Sequence, residues 1–233
     1  MPFINLKRLA DLAIDLVYPL RCIGCSETGS LLCPSCRERL PQLTPPLCPR
    51  CSLPLPLGGY CRACRDQPPI TDGVRSAFAM DGLARDMVHG LKYRGWRALA
   101  APMGALMADA MDDTWAVDIV APVPLHRRRI RERGFNQAEE LARAVADRLG
   151  VPMAADALER LRHSPPQARS ASAIERRLLV RDAFAVGRRS ARGRRVLLVD
   201  DVCTTGATLD ACATALRGAG AAAAFGLTFA REL

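Results

Sequence analysis

The stretch Val196-Leu197-Leu198-Val199-Asp200-Asp201-Val202-Cys203-Thr204-Thr205-Gly206-Ala207-Thr208 decides how this chain is read. Four consecutive apolar residues between Arg195 and Asp200 read as a strand buried on both faces, the kind found in parallel sheets. Two adjacent carboxylates end it, a short turn of hydroxyl and small residues follows, and a helix begins at Ala207. Ligands of open parallel sheets bind beyond the carboxyl ends of the strands. The N–H groups that open a helix favour an anion there, and Gly206 lets the backbone approach it closely. Thr204, Thr205 and Thr208 offer hydroxyls to phosphate oxygens. Asp200 and Asp201 would repel a bare phosphate but suit a ribose, whose 2′ and 3′ hydroxyls can each donate to a carboxylate. A capped helix after a core strand needs fewer such groups. An exposed acid pair with three threonines and a glycine reads as a site.

The same alternation recurs on either side. Residues 74–80 read as a strand, 83–93 and 98–111 as helices, and 117–123 as a second buried strand. Residues 136–149 form a helix closed by Gly150, 207–217 a helix stopped by Gly218, and 221–229 the last strand. Strands alternating with helices predict a doubly wound α/β sheet. After the 117–123 strand comes Pro124-Leu125-His126-Arg127-Arg128-Arg129-Ile130-Arg131-Glu132-Arg133, a cationic loop at a strand's carboxyl end. A solvated basic turn is the plain alternative, and the position favours a ligand. Residues 160–195 carry 11 Arg against Glu175 and Asp182. Ser164, Pro165, Pro166, Gln167, Ser170 and Ser172 make the first half of that stretch a long loop, a length usually reserved for function.

Eight of the ten cysteines fall in four Cys-x-x-Cys pairs: Cys22/Cys25, Cys33/Cys36, Cys48/Cys51 and Cys61/Cys64. Each such turn aims two thiolates at one tetrahedral centre, and two turns complete a zinc site of four cysteines. The segment is rich in proline and has too few large apolar residues to fold alone, so two structural Zn2+ ions would supply the missing stability. Disulfides or redox pairs are the alternatives; four pairs in 43 residues, on a chain with no export signal, argue against both. Neighbouring pairs give Cys22/Cys25/Cys33/Cys36 and Cys48/Cys51/Cys61/Cys64, whereas a cross-braced arrangement joins the first pair with the third. The connector-like stretch Leu43-Thr44-Pro45-Pro46-Leu47 favours neighbours.

With 233 residues, 49% apolar and 24% charged, the chain is globular and is neither disordered nor collagenous. A net charge of +9 favours a phosphate or polyanion partner. Lys7 and Lys92 are the two lysines among 33 basic residues, a bias that genome composition alone could produce. Only 11 aromatics are present, which argues against a surface that grips single strands mainly by stacking. Leu6, Leu9, Ala13, Leu16 and Val17 fall at helical spacing, and Asp11 and Asp15 interrupt them. The first 20 residues are therefore expected to form an amphipathic helix rather than a signal peptide or membrane span, and the protein to be cytoplasmic.

The apolar run, the two acids and Thr-Thr-Gly-Ala-Thr resemble the 5-phosphoribosyl-1-pyrophosphate (PRPP) signature of type I phosphoribosyltransferases. The resemblance widens along the chain. The Cys-x-x-Cys-rich start is followed in order by Leu91-Lys92-Tyr93-Arg94-Gly95, Pro122-Val123-Pro124-Leu125, Arg133-Gly134-Phe135-Asn136-Gln137, Ser164-Pro165-Pro166-Gln167 and the PRPP signature. That combination is similar to the ComF family of competence-associated, phosphoribosyltransferase-like proteins. Cys203, where the family usually has a Leu-like residue, and Ser164, in place of a common Thr, depart from its pattern. The resemblance implies a type I phosphoribosyltransferase-like α/β fold, a parallel sheet with helices on both faces, preceded by a small Cys-rich zinc module. Its segments would be 1–20 (helix), 21–66 (double zinc ribbon) and 70–233 (phosphoribosyltransferase-like domain). It further implies that Asp200 and Asp201 contact the ribose as the catalytic acids. Thr204, Thr205, Gly206, Ala207 and Thr208 would hold the 5′-phosphate, and Pro124, Leu125, His126, Arg127 and Arg133 the pyrophosphate, with Mg2+ accompanying PRPP.

Two functions fit. In the first, a phosphoribosyltransferase associated with DNA uptake, natural transformation or DNA utilisation binds Mg2+-PRPP or a related ribose phosphate. Its arginines stabilise the departing pyrophosphate, and the 162–181 loop, with Arg162 and Arg169, closes over the site. In the second, a non-catalytic adaptor binds single-stranded DNA, meets the DNA-uptake machinery, and keeps a PRPP or nucleotide site for regulation. Cys203 and Cys212 read as reduced core residues and Trp96 and Trp115 as packing residues, and His89, His126 and His163 show no metal spacing. Cys22→Ser or Cys61→Ser is expected to unfold the N-terminal module and spare the α/β domain.

Overall fold

In the computed structural model, residues 20–161, 183–188 and 191–233 are described. The helix expected over 1–20, apart from Leu20, and the 162–181 loop lie outside them. By its contacts the chain divides into two units, Met1–Leu40 and Pro41–Leu233. The smaller holds the short helix α1 (Pro34–Glu38). The larger runs α2 (Arg62–Asp66), β1 (Gly73–Ala79), α3 (Gly82–Tyr93), a 3-10 turn (Arg97–Leu99), α4 (Ala100–Asp109), β2 (Ile119–Pro122) and α5 (Arg127–Arg133). It continues with α6 (Gln137–Leu149), β3 (Leu158–Arg160), β4 (Phe184–Val186), β5 (Arg195–Cys203), α7 (Ala207–Gly218) and β6 (Ala223–Arg231).

Four strands form a parallel sheet in the order β1-β6-β5-β2. A parallel bridge from Val120 to Met153 extends it past β2. Right-handed crossovers then put α3, α4 and α6 on one face and α7 on the other. The doubly wound sheet read from the sequence is what forms. Val196, Leu197, Leu198 and Val199 are fully buried, as burial on both faces demands. On one side Met87, Leu91, Met103, Met107 and Leu141 of α3, α4 and α6 are buried; on the other, Leu209, Cys212 and Leu216 of α7. Helices α4 and α6 meet closely enough that a Cβ on Gly104 would lie 2.4 Å from Ala144 Cβ. Trp115 stacks on Phe225 at 4.6 Å, a packing residue as expected. Among the described residues no helix is long and apolar enough to cross a membrane.

Several boundaries differ from the sequence reading. Strand β5 runs on through Asp200, Asp201 and Val202 to Cys203, so both acids lie within the ladder, Asp200 opposite Thr228. The stretch read as a cationic loop contains α5, a helix with no buried residue and hence no apolar period to betray it. An antiparallel ribbon of β3 and β4 borders the basic stretch at both ends; strands of three residues are too short to show alternation.

The second cysteine cluster belongs to the larger unit. Its chain runs beside β1: Ala79 N–H donates to Pro41 O at 2.8 Å and Val74 N–H to Arg50 O at 2.9 Å. The hydroxyl of fully buried Ser52 donates to Val74 O at 2.8 Å, and Arg75 Nη1 to Pro49 O at 2.8 Å.

Candidate functional site

Successive side chains of a strand leave opposite faces, so the two acids of β5 meet different surroundings. Asp201 turns toward α3, is 3% exposed, and lies 2.9 Å through Oδ2 from the ammonium of Lys92 in the last turn of that helix. The ammonium approaches outside hydrogen-bonding geometry, which leaves Oδ2 without a hydrogen-bond donor among the described residues. Asp200 is half-buried, and its Oδ1 accepts from Asp201 N–H at 2.9 Å. Burial first, and the neighbouring Asp201 second, push its carboxyl up to about 7, while Lys92 pulls the other way. The exposed acid pair expected from the sequence is thus corrected to a desolvated pair that already holds a cation. Arg160, at the end of β3, lies over the Phe184 ring at 5.2 Å. Burial and then Arg129 draw its guanidinium below its usual range, and Asp200 opposes them.

Beyond the acids the chain turns at Gly206, whose φ of 79° in the left-handed region suits glycine, and α7 begins. Thr205 Oγ1 accepts from Ala207 N–H at 3.4 Å. Thr204 is exposed, Thr205 and Thr208 are half-buried, and Ala207 packs inward. The opening N–H groups of a helix have no partners within it, so those of α7 face the space beyond β5 together with the hydroxyls. Cys203 Sγ accepts from the buried Arg231 Nη1 at 2.9 Å and stays a core residue.

Strand β2 neighbours β5, and Val123 N–H donates to Val199 O at 2.9 Å, so Pro124, Leu125 and His126 start beside the end of β5. His126 opens α5, its Nδ1 accepting from Arg128 N–H at 3.2 Å. Arg127 pairs with Glu159 of β3 at 2.8 Å, and Arg133 donates to Gln137 Oε1 at 2.9 Å. The stretch 133–137 now has a physical account. Gly134, at φ 82°, ends α5, and Phe135 is buried beneath Arg97 at 5.1 Å. Buried Asn136 caps α6 through Ala138 N–H at 3.1 Å and donates to Val123 O at 3.1 Å, which fixes the root of the 124–126 segment. The structure therefore gathers Asp200, Asp201, the 204–208 turn and residues 124–126 at adjacent strand ends, while Arg127 and Arg133 turn to partners on β3 and α6. Sequence reasoning missed Lys92 as a site residue. Its signal was its chemistry: an ammonium kept where nearly every other cation is arginine.

The cysteines form two sets, Cys22, Cys25, Cys33, Cys36 and Cys48, Cys51, Cys61, Cys64, each with its sulfurs within 4.8 Å of one another. Neighbouring pairs combine, as the connector favoured, and the cross-braced arrangement does not form. In both sets the first sulfur takes a backbone bond: Cys33 N–H reaches Cys22 Sγ at 3.4 Å, and Cys61 N–H reaches Cys48 Sγ at 3.5 Å. Burial raises the Cys22 thiol, but the N–H groups of Cys33, Cys25 and Gly24 outweigh it and bring it down to about 6. Cys36 is pushed up to about 12 by burial first and then by the other cysteines of its set. Four such sulfurs cannot all ionise side by side without a cation, and a tetrahedral dication with thiolate preference fits both sets.

Two family profiles match the chain. The profile of the double zinc ribbon domain matches residues 13–65, and that of the phosphoribosyl transferase domain residues 136–230. Competence protein ComFC of Bacillus subtilis is 30% identical over 207 residues, 82% of this chain and 80% of its own. Competence protein F of Haemophilus influenzae is 29% identical over 216 residues, 87% of this chain and 93% of its own. DNA utilization protein YhgH of Salmonella typhimurium is 30% identical over 198 residues, covering 82% and 86%. Among solved structures, the glutamine PRPP amidotransferase of Bacillus subtilis complexed with ADP and GMP shares 54% of this chain and 25% of its own at 23% identity, with a TM-score of 0.37, too slight a likeness to argue from. Two cysteine ribbons, a parallel sheet ending in the acid pair and its turn, and relatives matched over at least four fifths of their length lead to one assignment: the chain belongs to the ComF family.

Proposed function

We propose that this chain binds Mg2+-PRPP, or a related ribose phosphate, at the carboxyl ends of β5 and β2, in the cytoplasm and in the service of DNA uptake or DNA utilisation. The observation that carries the reading is the unbroken run from Asp200 and Asp201 through the Gly206 turn into α7. Asp200 and Asp201 accept from the ribose hydroxyls. The N–H groups and hydroxyls of Thr204, Thr205, Gly206, Ala207 and Thr208 hold the 5′-phosphate. Pyrophosphate lies against Pro124, Leu125 and His126, with Arg127 and Arg133 as the adjacent cations. Mg2+ supplies charge neutralisation of the pyrophosphate, and the two zinc ribbons are structural. In turnover the bond from C1′ to pyrophosphate breaks with its electron pair on the leaving group, and an acceptor nucleophile bonds to C1′ and gives up its proton. Positioning and charge stabilisation carry the catalysis. The DNA side rests on the names of the relatives, competence and DNA utilization proteins.

Calorimetric titration of the zinc-loaded protein with Mg2+-PRPP, pyrophosphate and ribose 5-phosphate tests the site. The parent should bind Mg2+-PRPP, and Asp200→Asn/Asp201→Asn, which keeps side-chain shape, should abolish it while circular dichroism stays unchanged. A folded double variant that binds like the parent refutes the ribose assignment. A second reading, an adaptor for single-stranded DNA with PRPP as its regulator, is favoured by one surface, where Tyr93 and Trp96 stand exposed among arginines.

A further inference from the structure

We infer that Tyr93, Arg94 and Trp96 at the end of α3, with Arg133 of α5, form a surface that stacks the unpaired bases of a single-stranded nucleic acid; the inference rests on the adaptor reading above. Trp96 was expected to pack, and it does not: it is 43% exposed and Tyr93 is 61% exposed. Each ring is held on one side by a guanidinium and keeps much of its surface in water. Gly95, at φ 68°, reverses the chain between them, and Trp96 N–H donates to Gly90 O at 3.1 Å. The Arg94 guanidinium lies 5.1 Å from the Trp96 ring and that of Arg133 5.3 Å from the Tyr93 ring, while His89 meets Tyr93 edge-on at 5.5 Å.

The pattern fits one occupant. Large aromatics standing in water cost free energy in a protein with so few of them, and an apolar protein partner would not call for a guanidinium on each ring. Alternating rings and guanidinium groups match alternating bases and phosphates: rings take base faces, and arginines take backbone charge. Of the arginines here only Arg97 pairs with a carboxylate among the described residues, on Glu140. A duplex hides its base faces, so unpaired strands are favoured. The surface also adjoins the ribose-phosphate site, because Lys92, the residue before Tyr93, contacts Asp201.

Fluorescence anisotropy with a labelled oligothymidylate of about 20 nucleotides, long enough for one site of this kind, tests it on the zinc-loaded full chain. An oligouridylate of equal length and a duplex serve as competitors. The parent should bind oligothymidylate, and Tyr93→Ala/Trp96→Ala should weaken binding by about tenfold or more. Arg94→Gln should lower the log–log salt slope by about 0.7. Arg94→Gln should titrate with Mg2+-PRPP like the parent. Effective competition by oligouridylate would assign the surface to RNA as well, and its failure to DNA alone; either outcome supports base stacking. Undiminished affinity in the folded Tyr93→Ala/Trp96→Ala variant, or a duplex that competes equally well, overturns the surface and leaves the PRPP site untouched. A parent that does not bind oligothymidylate overturns the surface and the adaptor reading together, and the Mg2+-PRPP titration decides the transferase site separately.

Discussion

Acidifying the solution should stabilise the larger unit, and Asp200 should be the reason. Its carboxyl stands near 7 in the folded chain against 3.8 for the ordinary group, because burial and Asp201 penalise its charge. The folded state therefore holds a proton that the unfolded chain releases. Stability then falls as pH rises from about 4 to about 7 and levels off above that. A shift of roughly three units corresponds to about 4 kcal/mol across the whole window. Between about pH 8 and pH 5.5 the accessible part is about 2 kcal/mol, and staying above pH 5.5 keeps the cysteine sulfurs on their metal. Urea unfolding followed by tryptophan fluorescence measures it, since Trp96 and Trp115 both lie in the larger unit. The comparison that matters is with Asp200→Asn, which leaves every other ionisable group of the chain in place. That variant should lose the 2 kcal/mol of pH dependence and gain stability at the alkaline end. Parallel profiles for parent and variant would show that the Asp200 carboxyl is solvated and would refute the desolvated pair.

Lys92→Met should act in the opposite sense. Removing the ammonium leaves the buried Asp201 carboxylate unpaired and costs about 3 kcal/mol near pH 8, as the same urea series would show. Metal analysis should find about two zinc ions per chain in the parent and about one in Cys22→Ser or Cys61→Ser. Only Cys61→Ser should lower the tryptophan-reported unfolding midpoint. The expectation that either variant would spare the α/β domain is thereby revised for Cys61, whose cluster lies in the same unit as the sheet; equal midpoints for the two variants would restore it.

What the sequence disclosed was local, and what it concealed was distant. The cysteine spacing and the run from Val196 to Thr208 each hold their chemistry within a few residues, so they can be read without a fold. The burial of Asp201 depends on Lys92, more than a hundred residues earlier, and no local pattern joins the two. Helix α5 escaped notice because every residue in it meets water, which leaves no hydrophobic period. The ribbon of β3 and β4 closes across a long stretch of arginine, serine and proline with three residues on each side. Trp96 was misjudged for a related reason: composition counts aromatics and says nothing of where a left-handed glycine will leave one.

The backbone bonds that Pro41, Arg50 and Ser52 make along β1 have a consequence beyond the metal they flank. β1 is an outermost strand of the sheet, hydrogen-bonded to β6 on one side, and a bare flank on the other would be a template for a second chain. The 41–54 stretch fills that flank, with an antiparallel bridge from Gln42 to Phe78 at one end and the Arg50–Val74 bond at the other. Proline at positions 41, 45, 46, 49 and 54 gives it five residues that cannot donate to a further strand. The second ribbon is in this sense a guard against self-association. A chain stripped of its metal should begin to stick to its own copies along Gly73–Ala79 while the rest of the sheet is still intact.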